Sequence, residues 1–419
     1  MMQQRLDIFL ADREPAISVG HLEYERLRGS AVFHFAYCPE WLQAHPALAL
    51  SGDLHNFTGL QHKSGRLFGC FADALPDRWG RRLIDKREQM LAAQEQRVPR
   101  VLSDYDHLTL LDDYSRIGAF RFADNATGQY VGTDLVGMSV PPLTTIAQFT
   151  QQAQTYEQNA GNLPLEWVDN LYRQGSSLGG ARPKANMQDE NGELYIAKVP
   201  SVHDEYDMAL WEHFACLLAQ RAGITVAETR LLTVPGFAHH ALLSKRFDRR
   251  GQQRVHFASA MTLTNLSDGA DASSGNGYLD IVDAIIGNIG VVQPEKNLAE
   301  LYRRVAFSVC IGNHDDHFRN HGFLLTAEGW TLSPAYDINP TNQMTQSLLI
   351  SENSCEASLA ELLHAAELYM LSCEQAKQII SQVCAVVRQW RTVANACHIS
   401  PAEQQRFARR LDQYGQFAV

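Results

Sequence analysis

The sequence predicts an α+β chain with a β-rich amino-terminal part and an all-helical carboxy-terminal part, and three observations carry that reading. Short segments alternating apolar and polar residues, punctuated by Gly, Pro, Asn and Asp, recur as far as Phe247. Beyond them, apolar residues return every three or four positions, the period of helices with one buried face. A chain of 419 residues with 45% hydrophobic and 20% charged content is long and apolar enough for two or three cored domains.

Taken in order, Leu6 to Leu10 and Ala31 to Tyr37 read as strands, with Gly29 and Ser30 as turn material. Gly65 to Phe71 reads as a further strand, and Pro76 opens a helix running to about Gln94, since proline is tolerated in a first helical turn. Gly118 to Phe122 begins another strand, closed by the turn sequence Asp124-Asn-Ala-Thr-Gly128. Pro141-Pro142 and a polar helix from Thr145 to Asn159 mark a boundary. Glu193 to Val199 alternates as a strand, Tyr206 to Ala222 is helical, and Thr225 to Val234 and His240 to Phe247 are strands around Pro235-Gly236. After the polar loop Asp268 to Gly277 come helices over Tyr278 to Ile289 and Pro294 to Ile311. Ser372-x-x-Gln375 and Ser400-Pro-x-Glu403 have the form of capping boxes, and Ile379, Ile380, Val383, Val386, Val387 and Trp390 make one apolar face between them. The expected domains are 1–140, 141–260 and 261–419.

Lysine and arginine number 36 against 47 acidic residues, a net charge of −11. Wholesale nucleic-acid binding does not fit that balance, although a local basic patch does. The eight cysteines form no C-x-x-C pair and sit mostly in apolar runs, the usage of reduced cytosolic thiols. The amino terminus has no long apolar core, and Arg303 and Arg304 interrupt the apolar helix before Ile311. The expectation is a soluble cytoplasmic protein with no membrane partner.

The chemistry concentrates in Ile311-Gly-Asn-His-Asp315-Asp-His-Phe-Arg-Asn320, followed by Ser333-Pro-Ala-Tyr-Asp337. An Asp, an Asn five positions on and a second Asp after a strand pair are the set that phosphoryl transfer requires. One carboxylate orients and deprotonates the attacking hydroxyl, while an amide and the other carboxylate hold magnesium against the phosphates. Upstream, Gly175-Ser-Ser177-Leu-Gly179-Gly180-Ala181-Arg182-Pro183-Lys184 is a glycine-rich turn whose amides can approach phosphate oxygens. It is neither a Walker A loop nor the full G-x-G-x-x-G. Lys198 lies in Tyr-Ile-Ala-Lys-Val, and Glu212 on the next helix is placed to pair with it. The order of loop, strand lysine, acidic helix, catalytic loop and metal Asp is that of a bilobal kinase. The density of His314, Asp315, Asp316, His317 and His321 also suits a metal-dependent phosphohydrolase, but that reading leaves Gly179, Lys198 and Asn320 idle.

With these motifs in place the chain closely resembles the HipA family of bacterial serine/threonine kinases, toxins of type II toxin–antitoxin pairs. Ser177 to Lys184, Ile-Ala-Lys198-Val-Pro, Lys245-Arg-Phe-Asp-Arg-Arg250, Asp315 to Asn320 and Ser333 to Asp337 carry the likeness. Leu75-Pro-Asp-Arg-Trp-Gly-Arg81 and Arg116-Ile-Gly-Ala-Phe-Arg-Phe122 resemble the family's amino-terminal signature. The resemblance implies a bilobal kinase-like fold, ATP and Mg2+ as cofactors, Asp315 as catalytic base, and Asn320 and Asp337 as metal ligands. It implies a nucleotide site lined by Gly179, Gly180, Ala181, Arg182, Pro183 and Lys184 and by Lys198, Lys245, Arg246 and Phe247. From the catalytic side it adds His317, Phe318, Arg319, Asn320, Tyr336 and Asp337. It implies autophosphorylation at Ser177, where a phosphate would add nearly two negative charges beside the ATP phosphates. It also implies a small helix-turn-helix antitoxin, nucleic acid met only through that partner, and a protein substrate such as an aminoacyl-tRNA synthetase. Departures are Ile338 and Asn339 after Asp337, Arg319 where some members have Lys, and Asp316 beside Asp315 as a second carboxylate able to serve as base. A catalytically weak module that binds antitoxin on operator DNA is the alternative of a different class; it predicts loss of Lys198, Asp315 or Asn320, and all three are present.

Overall fold

The structure is a computed structural model that describes residues 4–27, 30–76, 78–133, 140–159, 163–175, 182–287 and 289–414. It divides into two compact units: residues 1–205 with 232–258, and residues 206–231 with 259–419.

In the first unit, alternating sequences pair into an antiparallel five-stranded sheet in the order Gln61–Ser64, Ser30–Tyr37, Ile17–Leu27, Gln4–Leu10 and Phe120–Asp124. Because successive side chains alternate faces, the register puts Leu6 beside Leu22, Leu22 beside Phe35 and Ile8 beside Phe122, all fully buried. The strand expected over Gly65 to Phe71 is corrected here. The strand is Gln61–Ser64, Gly65 turns out of it at φ 80°, and Gly69–Ala72 is a short helix that buries Cys70 and Phe71. Ser30, expected as turn, begins the strand, while Gly29 lies outside the described residues.

The same unit carries helices Arg78–Gln94, Ile146–Asn159 and Leu165–Gly175, and the antiparallel strands Lys184–Gln188, Leu194–Lys198 and Ala241–Lys245. Trp79, Leu83, Phe149, Leu171, Met187, Ala197 and Leu243 join them in one core. Burying each large apolar side chain of this kind contributes about 1.5–3 kcal/mol.

His256 sits in this unit with 2% of its surface exposed, its ring 4.1 Å from that of Phe120. Burial pushes its pKa down to about 3, against a weak opposing pull from Asp12. A base with a depressed folded-state pKa is protonated first in the unfolded chain, so stability is intact above the unfolded value near 6.5 and falls as pH drops below it. Urea unfolding should show about 2 kcal/mol of loss at pH 5 relative to pH 7 from this group alone. In His256→Leu that part of the slope should vanish; an unchanged slope would refute the assignment.

The second unit is mainly helical. Pro294–Ile311 is its central helix, with Leu301, Tyr302, Val305, Phe307 and Ile311 buried, and Cys373–Val387 packs against it. The expected apolar face is largely there: Ile379, Ile380, Val383, Val387 and Trp390 are buried, and Val386 is half-buried. Ser372 and Gln375 form the reciprocal capping box. Ser400 caps its helix through the Glu403 amide, while the Glu403 carboxylate accepts from the Asp207 amide at 3.5 Å. Strands Gly322–Leu325 and Trp330–Leu332 make the hairpin between the two conspicuous motifs. All eight cysteines are free, and among the described residues no helix is long and apolar enough to cross a membrane.

Candidate functional site

In the first unit, the glycine-rich turn is anchored at both ends. Helix Leu165–Gly175 ends where a Cβ on Gly175 would lie 2.6 Å from the Lys184 carbonyl oxygen and 2.9 Å from the Trp79 indole nitrogen, so only glycine fits that approach. Ser177, Gly179, Gly180 and Ala181 lie outside the described residues. The chain is described again from Arg182, whose guanidinium meets the buried carboxylate of Asp204 at 2.5 Å. The Pro183 carbonyl accepts from the Val199 amide at 3.2 Å. Lys184 is buried and directly opposite Lys198 in the strand pair, so loop end and strand lysine share one end of that pair.

Lys245 faces Tyr195 across the next pairing and bonds Glu193 at 2.7 Å. Arg246 turns inward with 1% of its side chain exposed, donating to Asp248, to Asn186 and to the carbonyls of Ser115 and Arg116. Phe247 is half-buried against Phe257, ring centroids 6.1 Å apart. The same cluster takes in the amino-terminal motif: Arg116 is fully buried, bonds the carbonyls of Leu108 and Leu111, and lies under the Phe122 ring at 5.0 Å. Burial pushes the Arg116 pKa down to about 10.

In the second unit, the central helix stops at Gly312, which adopts φ 70° and whose carbonyl accepts from Thr341. Polar residues then fold into a compact loop. The Asn320 side-chain N–H donates to the Asp315 carbonyl at 2.9 Å, and the Asn320 amide bonds the His317 carbonyl at 2.8 Å. Asn320 is 8% exposed, Phe318 is buried, His317 is half-buried and Asp315 is exposed.

The two adjacent carboxylates have opposite environments. Asp316 is 4% exposed and accepts from Tyr278 at 2.7 Å and Ser308 at 3.0 Å, with the His321 Nε2 at 3.0 Å. Burial alone would raise its pKa, but His321 and the hydrogen bonds outweigh that and hold it below the usual range. Asp316 is thus committed to the fold, leaving Asp315 as the carboxylate that faces solvent.

The segment bearing Asp337 is tied to this loop by two bonds. The Tyr336 hydroxyl donates to the Arg319 carbonyl at 2.6 Å, and the Asn339 amide donates to Asn313 Oδ1 at 3.1 Å. Arg304 holds its start through the Ser333 carbonyl at 2.7 Å, and Ala335 pairs with Val226 as a parallel bridge. Asp337 itself has φ 58°, a left-handed backbone uncommon for any residue but glycine and tolerated best by Asp and Asn. Its Oδ1 accepts from the Asn339 side chain at 3.3 Å. Arg319 also pairs with Asp268 at 3.1 Å. Asn320 and Asp337 offer hard oxygen donors, the chemistry that magnesium prefers. Among the described residues no group of three or more His, Cys, Asp or Glu gathers around a common point.

Glu212 is buried on helix Met208–Arg221 in the second unit, whereas Lys198 belongs to the first. Sequence reasoning does not reach Asn313, Tyr278, Ser308 and Arg304. Asn313 stands two positions before Asp315, inside the motif, so its place there is the signal that could have found it; Tyr278 is 38 residues from Asp316, a separation no local motif signals.

Residues 176–390 match the model of the HipA-like C-terminal domain and residues 6–102 that of the HipA N-terminal domain. A Haemophilus influenzae protein named "Putative kinase" is 29% identical over 203 residues, 43% of this chain and 57% of its own length. "Putative kinase Y4dM" of Sinorhizobium fredii is 29% identical over 225 residues, 49% of this chain and 52% of its own. The chain therefore spans about half the length of the curated relatives it matches. A solved Shewanella oneidensis toxin–antitoxin complex of HipA, HipB and operator DNA aligns over 98% of this chain and 95% of that one. Its TM-score is 0.65 at 15% identity, a likeness of fold. Two domain models, one covering half of the chain, agree with the motifs at both ends, and the chain belongs to the HipA family.

Proposed function

We propose that this chain is a HipA-like serine/threonine protein kinase toxin that transfers the γ-phosphate of ATP to a protein hydroxyl. In this reading 1–140 is the amino-terminal subdomain, 141–260 the small lobe and 261–419 the helical lobe. The observation that carries it is the catalytic loop: an exposed Asp315, a buried Asn320 bonded to the Asp315 carbonyl, and an Asp337 segment stapled to both flanks. Family membership and the kinase names of two relatives support the same chemistry.

Asp315 orients the incoming hydroxyl and takes its proton as the phosphoryl group moves. Asn320 and Asp337 would hold magnesium, which when bound neutralises and aligns the phosphates. Lys198 and Lys184 supply positive charge at one end of their strand pair, and Glu212 is the proposed partner of Lys198. Ser177 is the proposed self-modification site, because a phosphate in that loop would repel the triphosphate. The partner we propose is a small HipB-like helix-turn-helix antitoxin, which would bring the chain to operator DNA. The phosphohydrolase reading needs a denser ligand set than the described residues supply.

Calorimetry with the unphosphorylated protein tests the core of this reading. ATP should bind in a magnesium-dependent manner, and Asp337→Asn should remove that dependence and turnover together. Absence of magnesium-dependent nucleotide binding in the unmodified protein would overturn the kinase assignment. Phosphoproteomics after brief expression, set against Asp315→Ala, would name the substrate, expected among the aminoacyl-tRNA synthetases.

A further inference from the structure

We infer that Asp316 is a positioning residue that clamps the proposed catalytic loop in its working shape, acting through Asp315 rather than touching substrate. The inference rests on the kinase reading above and adds to it a buried carboxylate with no step of its own in the chemistry.

The geometry is that of a clip. Asp316 immediately follows the proposed base, and His321 immediately follows the proposed metal ligand. Asp316 Oδ1 and His321 Nε2 meet at 3.0 Å, so the two ends of the stretch that carries both functional side chains are joined beneath it. The other carboxylate oxygen accepts from Ser308, in the last turn of the central helix, and from Tyr278, the first residue of helix Tyr278–Ile286. Two helices and both ends of the loop thus converge on one side chain. The Tyr278 ring stands edge-on to His321, with centroids 5.7 Å apart, and the Ala260 amide donates to the His321 carbonyl at 2.7 Å. His321 is held in its turn.

Neighbouring residues in so tight a loop face opposite ways, so fixing Asp316 inward fixes Asp315 outward. The Asn320 side chain, bonded to the Asp315 carbonyl, is set by the same constraint. A base held in place before substrate arrives avoids the loss in rate that follows from a misplacement of about 1 Å, roughly 100-fold. The supporting shell of a site supplies that precision.

Conservative variants test this, because Asp316→Ala would strand three buried polar groups and endanger folding. Asp316→Asn, which keeps the shape, and Tyr278→Phe, which removes one donor, are the ones to make. Both should lower kcat, Asp316→Asn by about 10- to 100-fold and Tyr278→Phe by less, with KM for ATP changed no more than about twofold. The decisive measurement is a cycle with Asp315→Asn. If Asp316 works through the base, adding Asp316→Asn to Asp315→Asn should cost almost nothing further in kcat. Effects that multiply, or a normal kcat in Asp316→Asn, would overturn the inference.

Amide hydrogen exchange on the same proteins separates this from the kinase reading. Faster exchange confined to residues 313–321 is expected in both variants whether or not the enzyme turns over. If the wild type has no activity, the kinase reading fails while the exchange result still decides the clamp, and unchanged exchange there refutes it.

Discussion

Asp248→Ala should destabilise the first unit by about 3–5 kcal/mol, the largest stability effect expected of any single substitution considered for this chain. Asp248 is 4% exposed and its two oxygens accept four hydrogen bonds: two from Arg246, at 2.8 and 2.5 Å, one from Arg249 at 2.8 Å and one from the Gly118 amide at 2.8 Å. Removing it leaves two guanidinium groups buried, with no other carboxylate pairing with either among the described residues, and their mutual repulsion is no longer offset. Burial already pushes the Arg249 pKa down to about 9 with Asp248 present. Melting should shift by roughly 10 °C for a unit of this size. Arg5→Ala, which breaks the Arg5–Asp7 pair and leaves Asp7 its bond from the Asn125 side chain, should change stability by less than about 1 kcal/mol and serves as control.

The pH dependence has a definite sign. Burial works to raise the Asp248 pKa, but Arg246, Arg249 and the Gly118 amide hold it far below the usual carboxylate range. A depressed folded-state pKa contributes stability that is present above the unfolded value near 3.9 and is lost as pH falls below it. The wild type should therefore lose stability more steeply than Asp248→Asn below about pH 4. A variant within 1 kcal/mol of wild type at pH 7 would show that the arginine cluster carries no net stabilisation. The cluster matters beyond stability, because Arg246 immediately follows Lys245, the last residue of the strand that pairs with the Lys198 strand. The same guanidinium reaches the Arg116 carbonyl, so the amino-terminal motif and that strand share one set of bonds.

What the sequence made legible follows the range of the interactions involved. Capping at Ser372, the proline-opened helices, the alternating strands Gln4–Leu10 and Leu194–Lys198 and the apolar face before Trp390 depend on residues within a few positions of each other. Interactions of that range leave their pattern in the sequence itself. The helix Asp104–Leu110 has a complete capping box from Ser103 and Asp106 but only seven residues, too few for its period to stand out. The stretch Gly65 to Phe71 reads as a strand because Leu67, Phe68, Cys70 and Phe71 form a short apolar run, whose length does not separate strand from helix; the left-handed turn at Gly65 ends the strand before it and the run closes into a helix instead.

The proposed catalytic loop is legible as a motif, since its residues are consecutive. The separate fates of Asp315 and Asp316 are not. Nothing in two adjacent aspartates says which one faces inward; that depends on Tyr278 and Ser308, brought to one point by helix packing. Arg246 shows the same dependence on distant residues. The resemblance implies a nucleotide contact for it, and its guanidinium donates to Asp248, Asn186 and two carbonyls contributed from about 130 residues away, partners that no local motif signals.

Asp315→Asn should lower kcat by about 10²–10⁴-fold while leaving the affinity for magnesium and ATP within about tenfold of wild type. The substitution keeps size and hydrogen-bonding reach but removes the proton acceptor, and a general base contributes only as the hydroxyl begins to transfer its proton. The structure gives a reason for the nucleotide term to be spared: the Asn320 side chain is held by the Asp315 backbone carbonyl, not by its carboxylate, so losing the charge leaves the proposed metal ligand in place. Asp337→Asn should do the reverse, weakening nucleotide binding at the start. Comparing the two variants by calorimetry and single-turnover kinetics therefore separates base from ligand. Should Asp315→Asn retain full turnover, the base would have to be sought elsewhere, and Asp316 is no ready substitute. Its carboxylate is buried and already accepts from Tyr278 and Ser308, so using it would require breaking the bonds that hold the loop together.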